Sequence, residues 1–145
     1  MAAFQWSNAE LARVYAAAYL GRSARLCLAN ATTGLTLNST TAAWDAAEIT
    51  SQAANGYARY TFTLAAGSYD SATQRFQTPV VTASFQAGAS GGGLNYDSVY
   101  LVLGNGTTWD TNIAGLWTEA PNIVLAPGQP RAYNIRFVCD DITTL

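Results

Sequence analysis

The sequence contains no histidine, and its seven basic residues are all arginine, so lysine is absent as well. Without an imidazole or an amine, the usual general-base and Schiff-base groups are missing. Acid–base work would fall to carboxylates or tyrosine, and a structural zinc site has too few ligands to draw on. Charge is scarce altogether, at 11% of residues against about 25% in an ordinary soluble domain. Such a surface is either built from Ser, Thr, Asn, Gln and Gly or covered by other protein. The arginine bias points the same way, because Arg suits paired and interfacial positions while Lys solvates a free surface. An ordinary bias of the source genome is the alternative. A net charge of −2 and a pI near 4.8, with no basic stripe, argue against nucleic acid as a partner.

Long apolar runs are also missing. Nothing approaches membrane-spanning length, and the N-terminus has no positive segment leading into an apolar one, so it does not read as a signal peptide. The matches to the glycosylation sequon at Asn30, Asn38 and Asn105 are therefore discounted as chance in a Ser/Thr-rich chain. Only two cysteines occur, Cys27 and Cys139, each inside an apolar run. They read as two buried, reduced thiols rather than a bridge.

What is present suffices for a core. Half the residues are hydrophobic and 12% aromatic, and 145 residues suit one domain that buries roughly 70% of its unfolded surface. Residues 1–21 read as an N-terminal arm and helix of that domain. In "WSNAELARVYAAAYLG", Ser7 and Glu10 form a capping box, and Trp6 and Leu11 take the staple positions. Leu11, Val14, Tyr15 and Ala18 make an apolar stripe, and Gly21 stops a helix from Asn8 to about Leu20. "TAAWDAAEI", Thr41 to Ile49, predicts a second helix of about two turns capped by Thr41.

The rest reads as strands: 25–29, 57–65, 74–78, 80–87, 98–103, 113–118, 122–125 and 132–139. Turn signals at Gly67-Ser68, Gly104-Asn105-Gly106 and "APGQP" punctuate them. "AGASGGG", residues 87–93, reads as a flexible loop. Short strands at this spacing indicate a mainly β chain, an antiparallel β-sandwich of jelly-roll type.

Candidate chemistry is thin. Asp45 and Glu48 lie i, i+3 on the short helix and Asp140-Asp141 are adjacent, but both pairs read as helix-end or solvated charges rather than a hydrolase dyad. The glycine run lacks the Lys and Ser/Thr of a phosphate loop. A calcium ion on Asp97, Asp110 or Asp140 finds no EF-hand spacing. No catalytic, cofactor or metal residue is assigned. Trp44 reads as core. Trp109 and Trp117 flank a turn-rich segment, and Phe4 and Trp6 lie in the uncharged "MAAFQW". These four are the candidate interface residues, since aromatics near loops either anchor partners or stack on sugars.

One stretch draws particular notice. In "AANGYARYTFTLA" the Asn55-Gly56 turn leads into an alternating run, with Tyr57 and Arg59 on the face opposite Tyr60 and Phe62. Together with "PVVTASFQA", "GGGLNYDSVYLVLG" and "PNIVLAPGQPRAYNIRF", in that order, it resembles a recurrent group of small virion structural proteins of tailed bacteriophages. The resemblance covers roughly Trp44 to Val138 and rests on the order and spacing of the motifs. It implies a β-sandwich in a head decoration, tail or fibre protein, with Gly56, Tyr57 and Arg59 as an architectural lead-in to a strand. The reading that follows is a non-enzymatic virion protein without a cofactor, most simply a capsid decoration (cement) protein. It would sit on the head as a trimer or dimer against the major capsid protein. The rival is a tail or fibre domain that binds a host surface glycan through its loop tryptophans.

Overall fold

A computed structural model describes residues 7–73 and 75–140. In chain order it runs α1 (Asn8–Ala18), β1 (Ser23–Ala29), α2 (Thr41–Ala47), a 3₁₀ segment (Thr50–Asn55), β2 (Tyr60–Thr63), β3 (Ser68–Asp70), β4 (Arg75–Gln77), β5 (Val81–Gln86), β6 (Leu94–Gly104), β7 (Gly115–Leu125), β8 (Pro130–Ile135) and β9 (Val138–Asp140). The chain is mainly β and its sheets are antiparallel, as the alternation predicts. Its contacts form two compact units. One draws on the chain up to Arg22, Thr63–Thr82 and the chain from Asn134; the other is Ser23–Phe62 with Ala83–Tyr133.

In the first unit, Ser7 has extended backbone and its Oγ accepts from Glu10 N at 3.2 Å, so it caps α1 as expected. The reciprocal half of the capping box is not made. The Glu10 carboxylate instead takes Arg13 Nη2 at 2.6 Å and Nε at 3.0 Å. The staple residue Trp6 lies outside the described residues. Leu11 and Tyr15 are buried, but Val14 and Ala18, the rest of the predicted stripe, are exposed. The sheet beneath is small, in the order β3-β4-β9, and its rings meet only one line of the helix. Tyr15 lies 5.3 Å from Phe76 and 5.1 Å from Phe137, ring centre to ring centre. Its hydroxyl donates to Ala65 O at 2.8 Å.

The run predicted as one strand, 132–139, is two strands, β8 and β9. Thr78 is the reason. Its N–H donates to Phe137 O and its Oγ1 accepts from Phe137 N, both at 3.0 Å, so the chain turns out of its pairing with β5 and into pairing with β4.

In the second unit the sheet order is β2-β1-β6-β7. β1 and β6 pair from Ser23↔Gly104 to Ala29↔Ser98. Both central strands are covered on two faces, which is why "RLCLA" and "VYLVL" read as unbroken apolar runs. On one face Arg25, Cys27 and Ala29 lie with Val102, Tyr100 and Ser98, and α2 packs there, with Trp44 stacked 5.4 Å from Tyr100. The other face carries Val99 and, opposite it, Trp117. Tyr133 of β8 lies 6.4 Å from Trp117 and 6.3 Å from Phe85 of β5, giving a sandwich-like layering.

A register shift between Tyr96 and Ser98 turns Tyr96 to that same side. Its hydroxyl meets Tyr133's at 2.8 Å. The bulged Asp97 is held by Thr32 N (3.2 Å), Thr32 Oγ1 (2.8 Å) and Ser98 Oγ (2.9 Å). The two predicted strands 113–118 and 122–125 are one strand, β7, which passes through a cis Ala120–Pro121 bond.

α2 is capped one residue earlier than predicted. Thr40 Oγ1 accepts from Ala43 N at 3.3 Å, and Thr41 is the first helical residue and buried. Ser7→Ala should lower the unfolding free energy by about 1 kcal/mol, read as a shifted urea midpoint at unchanged slope.

Candidate functional site

The Asn-Gly turn and the Tyr-Ala-Arg that follows serve one buried carboxylate. Gly56 sits at φ +97°, and a Cβ there would fall 2.6 Å from Gly88 N, so the position requires glycine. Asn55 O accepts from Gly88 N at 2.7 Å and Asn55 Oδ1 from Gly92 N at 3.0 Å. The glycine-rich loop read as flexible is thus pinned by the turn. Tyr57 then donates to Glu48 Oε1 at 2.5 Å and accepts from Leu28 N at 3.2 Å. Arg59 completes a fork on Glu48, Nε to Oε1 at 2.8 Å and Nη2 to Oε2 at 2.6 Å.

The Glu48 side chain is fully buried, which corrects its reading as a solvated helix-end charge. Burial and the neighbouring carboxylate push the Tyr57 hydroxyl far above its ordinary range, while the bond to Glu48 raises Arg59. The hydroxyl stays protonated as a donor and the guanidinium charged. This cluster holds the chain together and offers no proton for chemistry.

A second ion pair lines a cleft of about 450 Å³ in the same unit. Arg25 projects from β1 under α2 and is 3% exposed. Its Nη2 reaches both oxygens of Asp45, at 2.9 and 2.7 Å, and Tyr100 donates to Asp45 Oδ1 at 2.8 Å. The Arg25 guanidinium carbon lies 4.7 Å from the centre of the Trp109 ring. Trp109 owes this position to Gly104: a Cβ on Gly104 would fall 2.7 Å from the indole ring and 2.4 Å from Thr108 O. Asn105 Oδ1 gathers the backbone N–H groups of Thr107 and Thr108 and closes the turn. Thr41 N donates to Thr111 O at 2.7 Å and ties α2 to the segment after Trp109. Arg25 Nε and Thr41 Oγ1, both shielded from solvent, have no hydrogen-bond partner among the described residues.

The candidate interface residues separate. Phe4 and Trp6 lie outside the described residues. Trp109 lines the cleft on the α2 side of the sheet. Trp117, 39% exposed, is on the opposite face beside Tyr133, so the two tryptophans do not form one surface. Gly56, Tyr57 and Arg59 are brought together as the strand lead-in. Arg25, Asp45, Tyr100 and Thr41 were not singled out by the sequence as cleft residues. The available signal was Arg25 itself, a lone charge inside the apolar run "RLCLA". Among the described residues no three of His, Cys, Asp and Glu converge.

Cys27 is a free, fully buried thiol; the thiol of Cys139 lies outside what is described. Burial pushes Cys27 up to about 12 from an ordinary 9.0. The folded state therefore holds its proton where the unfolded chain loses it. That contribution to stability is full below pH 9 and declines as pH rises toward 12. Cys27 should resist thiol reagents in the native protein at pH 8, and denaturation without reductant should release two reactive thiols per chain. Arg59→Leu should destabilise by about 3 kcal/mol, because it leaves the Glu48 carboxylate buried with a single donor; chemical denaturation checks this.

No family model, curated protein or solved structure matches the chain.

Proposed function

We propose that the chain is a non-enzymatic structural protein of a phage virion, a capsid decoration protein that assembles as a small homo-oligomer on the head shell. The observation that carries the assembly is the outward side of α1. Besides the Glu10–Arg13 pair, the exposed positions from Ala9 onward are Ala9, Ala12, Val14, Ala16, Ala17 and Ala18. An outward helix side made largely of alanine and valine is suited to lie under other protein, and its small side chains let a neighbouring backbone come close. Leu20, 44% exposed, extends the patch past the helix end. The general shortage of charge suits a surface that is largely covered. The order of the strand motifs supports the virion setting.

The polar side chains suited to chemistry support a structural role, since Glu48 and Asp45 are each held by an arginine and a tyrosine. Among the described residues no helix is long and apolar enough to cross a membrane.

Sedimentation of the full chain should give a dimer or trimer. Val14→Glu should shift it toward monomer while the thermal melt holds, because an exposed substitution changes stability by only about 0.5 kcal/mol. Imaging of intact particles should then find the wild-type protein on the head surface and the variant at reduced occupancy. A monomeric wild type, or full occupancy by the variant, would refute the reading.

A further inference from the structure

We infer that Asn105 is a self-modifying site: its side chain closes onto the Gly106 nitrogen and converts, with loss of ammonia, to a mixture of aspartate and isoaspartate. The inference stands apart from the assembly reading, because it needs only the folded chain and water. In the first step the Gly106 backbone nitrogen attacks Asn105 Cγ. An N–Cγ bond forms, the Cγ–Nδ2 bond breaks, and Nδ2 leaves as ammonia with the proton from the Gly106 nitrogen. Water then opens the cyclic imide at either carbonyl, which leaves aspartate or isoaspartate. Glycine in the next position favours closure, because no Cβ hinders the approach and the backbone turns freely. The sequence has two such steps, Asn55-Gly56 and Asn105-Gly106, and the fold treats them differently.

Asn55 is held in place. Gly56 N donates to Ala53 O at 3.0 Å, Asn55 O accepts from Gly88 N at 2.7 Å, and Asn55 Oδ1 accepts from Gly92 N at 3.0 Å. Gly56 also packs so closely on Gly88 that a Cβ would fall 2.6 Å from Gly88 N. Ring closure swings the peptide between the two residues, so here it must first tear the turn from the glycine-rich loop. Asn105 and Gly106 are both exposed. Beyond its chain neighbours, a Cβ on Gly106 would meet nothing closer than Ser23 Oγ at 3.6 Å. Among the described residues Gly106 N donates to no acceptor. This peptide can turn, and its nitrogen can attack.

The turn also activates the carbonyl. Asn105 Oδ1 accepts from Thr107 N at 3.1 Å and Thr108 N at 2.9 Å, and the Thr107 and Thr108 hydroxyls each reach it at 3.1 Å. Donors gathered on one carbonyl oxygen draw electrons from its carbon, and they sit where negative charge grows as the nitrogen adds. The bond to the N–H two residues on folds the side chain back over the Gly106 peptide. Among the described residues Asn55 Oδ1 has only Gly92 N as a donor. The two products differ in effect. Aspartate offers the same donors a charged oxygen, whereas isoaspartate lengthens the backbone of the turn that presents Trp109.

The test is peptide mapping by mass spectrometry of the full-length protein, held for weeks in mildly alkaline buffer, with an isoaspartate-specific methylation assay. Product should accumulate at Asn105 while Asn55 stays intact. In guanidinium, which removes the fold, Asn55 should convert at least about tenfold faster than in the native chain, whereas Asn105 should gain nothing from unfolding. Thr108→Val keeps the side-chain shape and both N–H donors and removes one hydroxyl. It should slow native conversion at Asn105 about threefold, with circular dichroism reporting the fold; Thr107→Val carries the test if Thr108→Val does not fold. No product at Asn105 in the native protein, equal native conversion at the two steps, faster conversion of Asn105 on unfolding, or an Asn105 rate unchanged or raised in the valine variant would each overturn the assignment.

Discussion

The buried carboxylate of Glu48 constrains the second unit more than any other group. An ionised carboxylate removed from water costs several kcal/mol unless it is paired and hydrogen-bonded. Here Arg59 gives two bonds and Tyr57 a third. Glu48 also ends α2, and its backbone bridges to Ala29 of β1, while Ile49 N donates to Leu28 O. The requirement to satisfy one charge thus sets where α2 stops, how the chain leaves the 3₁₀ segment, and why β2 begins at Tyr60 rather than Tyr57. Tyr57 and Arg59, two residues apart on extended chain, reach the same carboxylate because the Asn55-Gly56 turn aims them.

With the C-terminal end of α2 fixed at Glu48, the rest of the helix follows by its own geometry. Trp44 lands on Tyr100, and Asp45 comes within reach of Arg25 on the strand below. The cleft is what this placement leaves between the start of α2 and the turn that presents Trp109. Arg25 is held on one nitrogen by Asp45 and on its face by Trp109, which orients the guanidinium while its Nε stays unmet. The same packing makes the interior inert. Tyr57 and Tyr100 are pushed to higher pKa chiefly by burial, and Cys27 likewise, so none of these groups ionises near neutral pH.

The outer surface has a different logic. A chain with few charges and no lysine must gain solubility from short polar side chains or from company. α1 leaves a run of alanines outward, and the small sheet beneath it engages only Leu11 and Tyr15. The outward alanines of α1 and the residues that line the cleft belong to different compact units.

The sequence by itself determined whatever depends on neighbours along the chain. The Ser7 cap, the glycine at Gly56, the alternation of Tyr60 and Phe62, the buried Trp44 and the mainly β antiparallel class all follow from spacing and local backbone preference. It could not show where a strand changes partner. The break at Arg136–Phe137 that splits β8 from β9, bonded to Thr78, and the bulge at Asp97 that flips Tyr96 arise from hydrogen bonds between distant residues. Nor could it show that Glu48 is buried and that Arg25 pairs with Asp45, since a charge is solvated or buried according to what packs over it. Charge partners are chosen in space, across a sheet register that short-range patterns do not encode. Only tertiary structure therefore placed Arg25, Thr41 and Trp109 around one cavity.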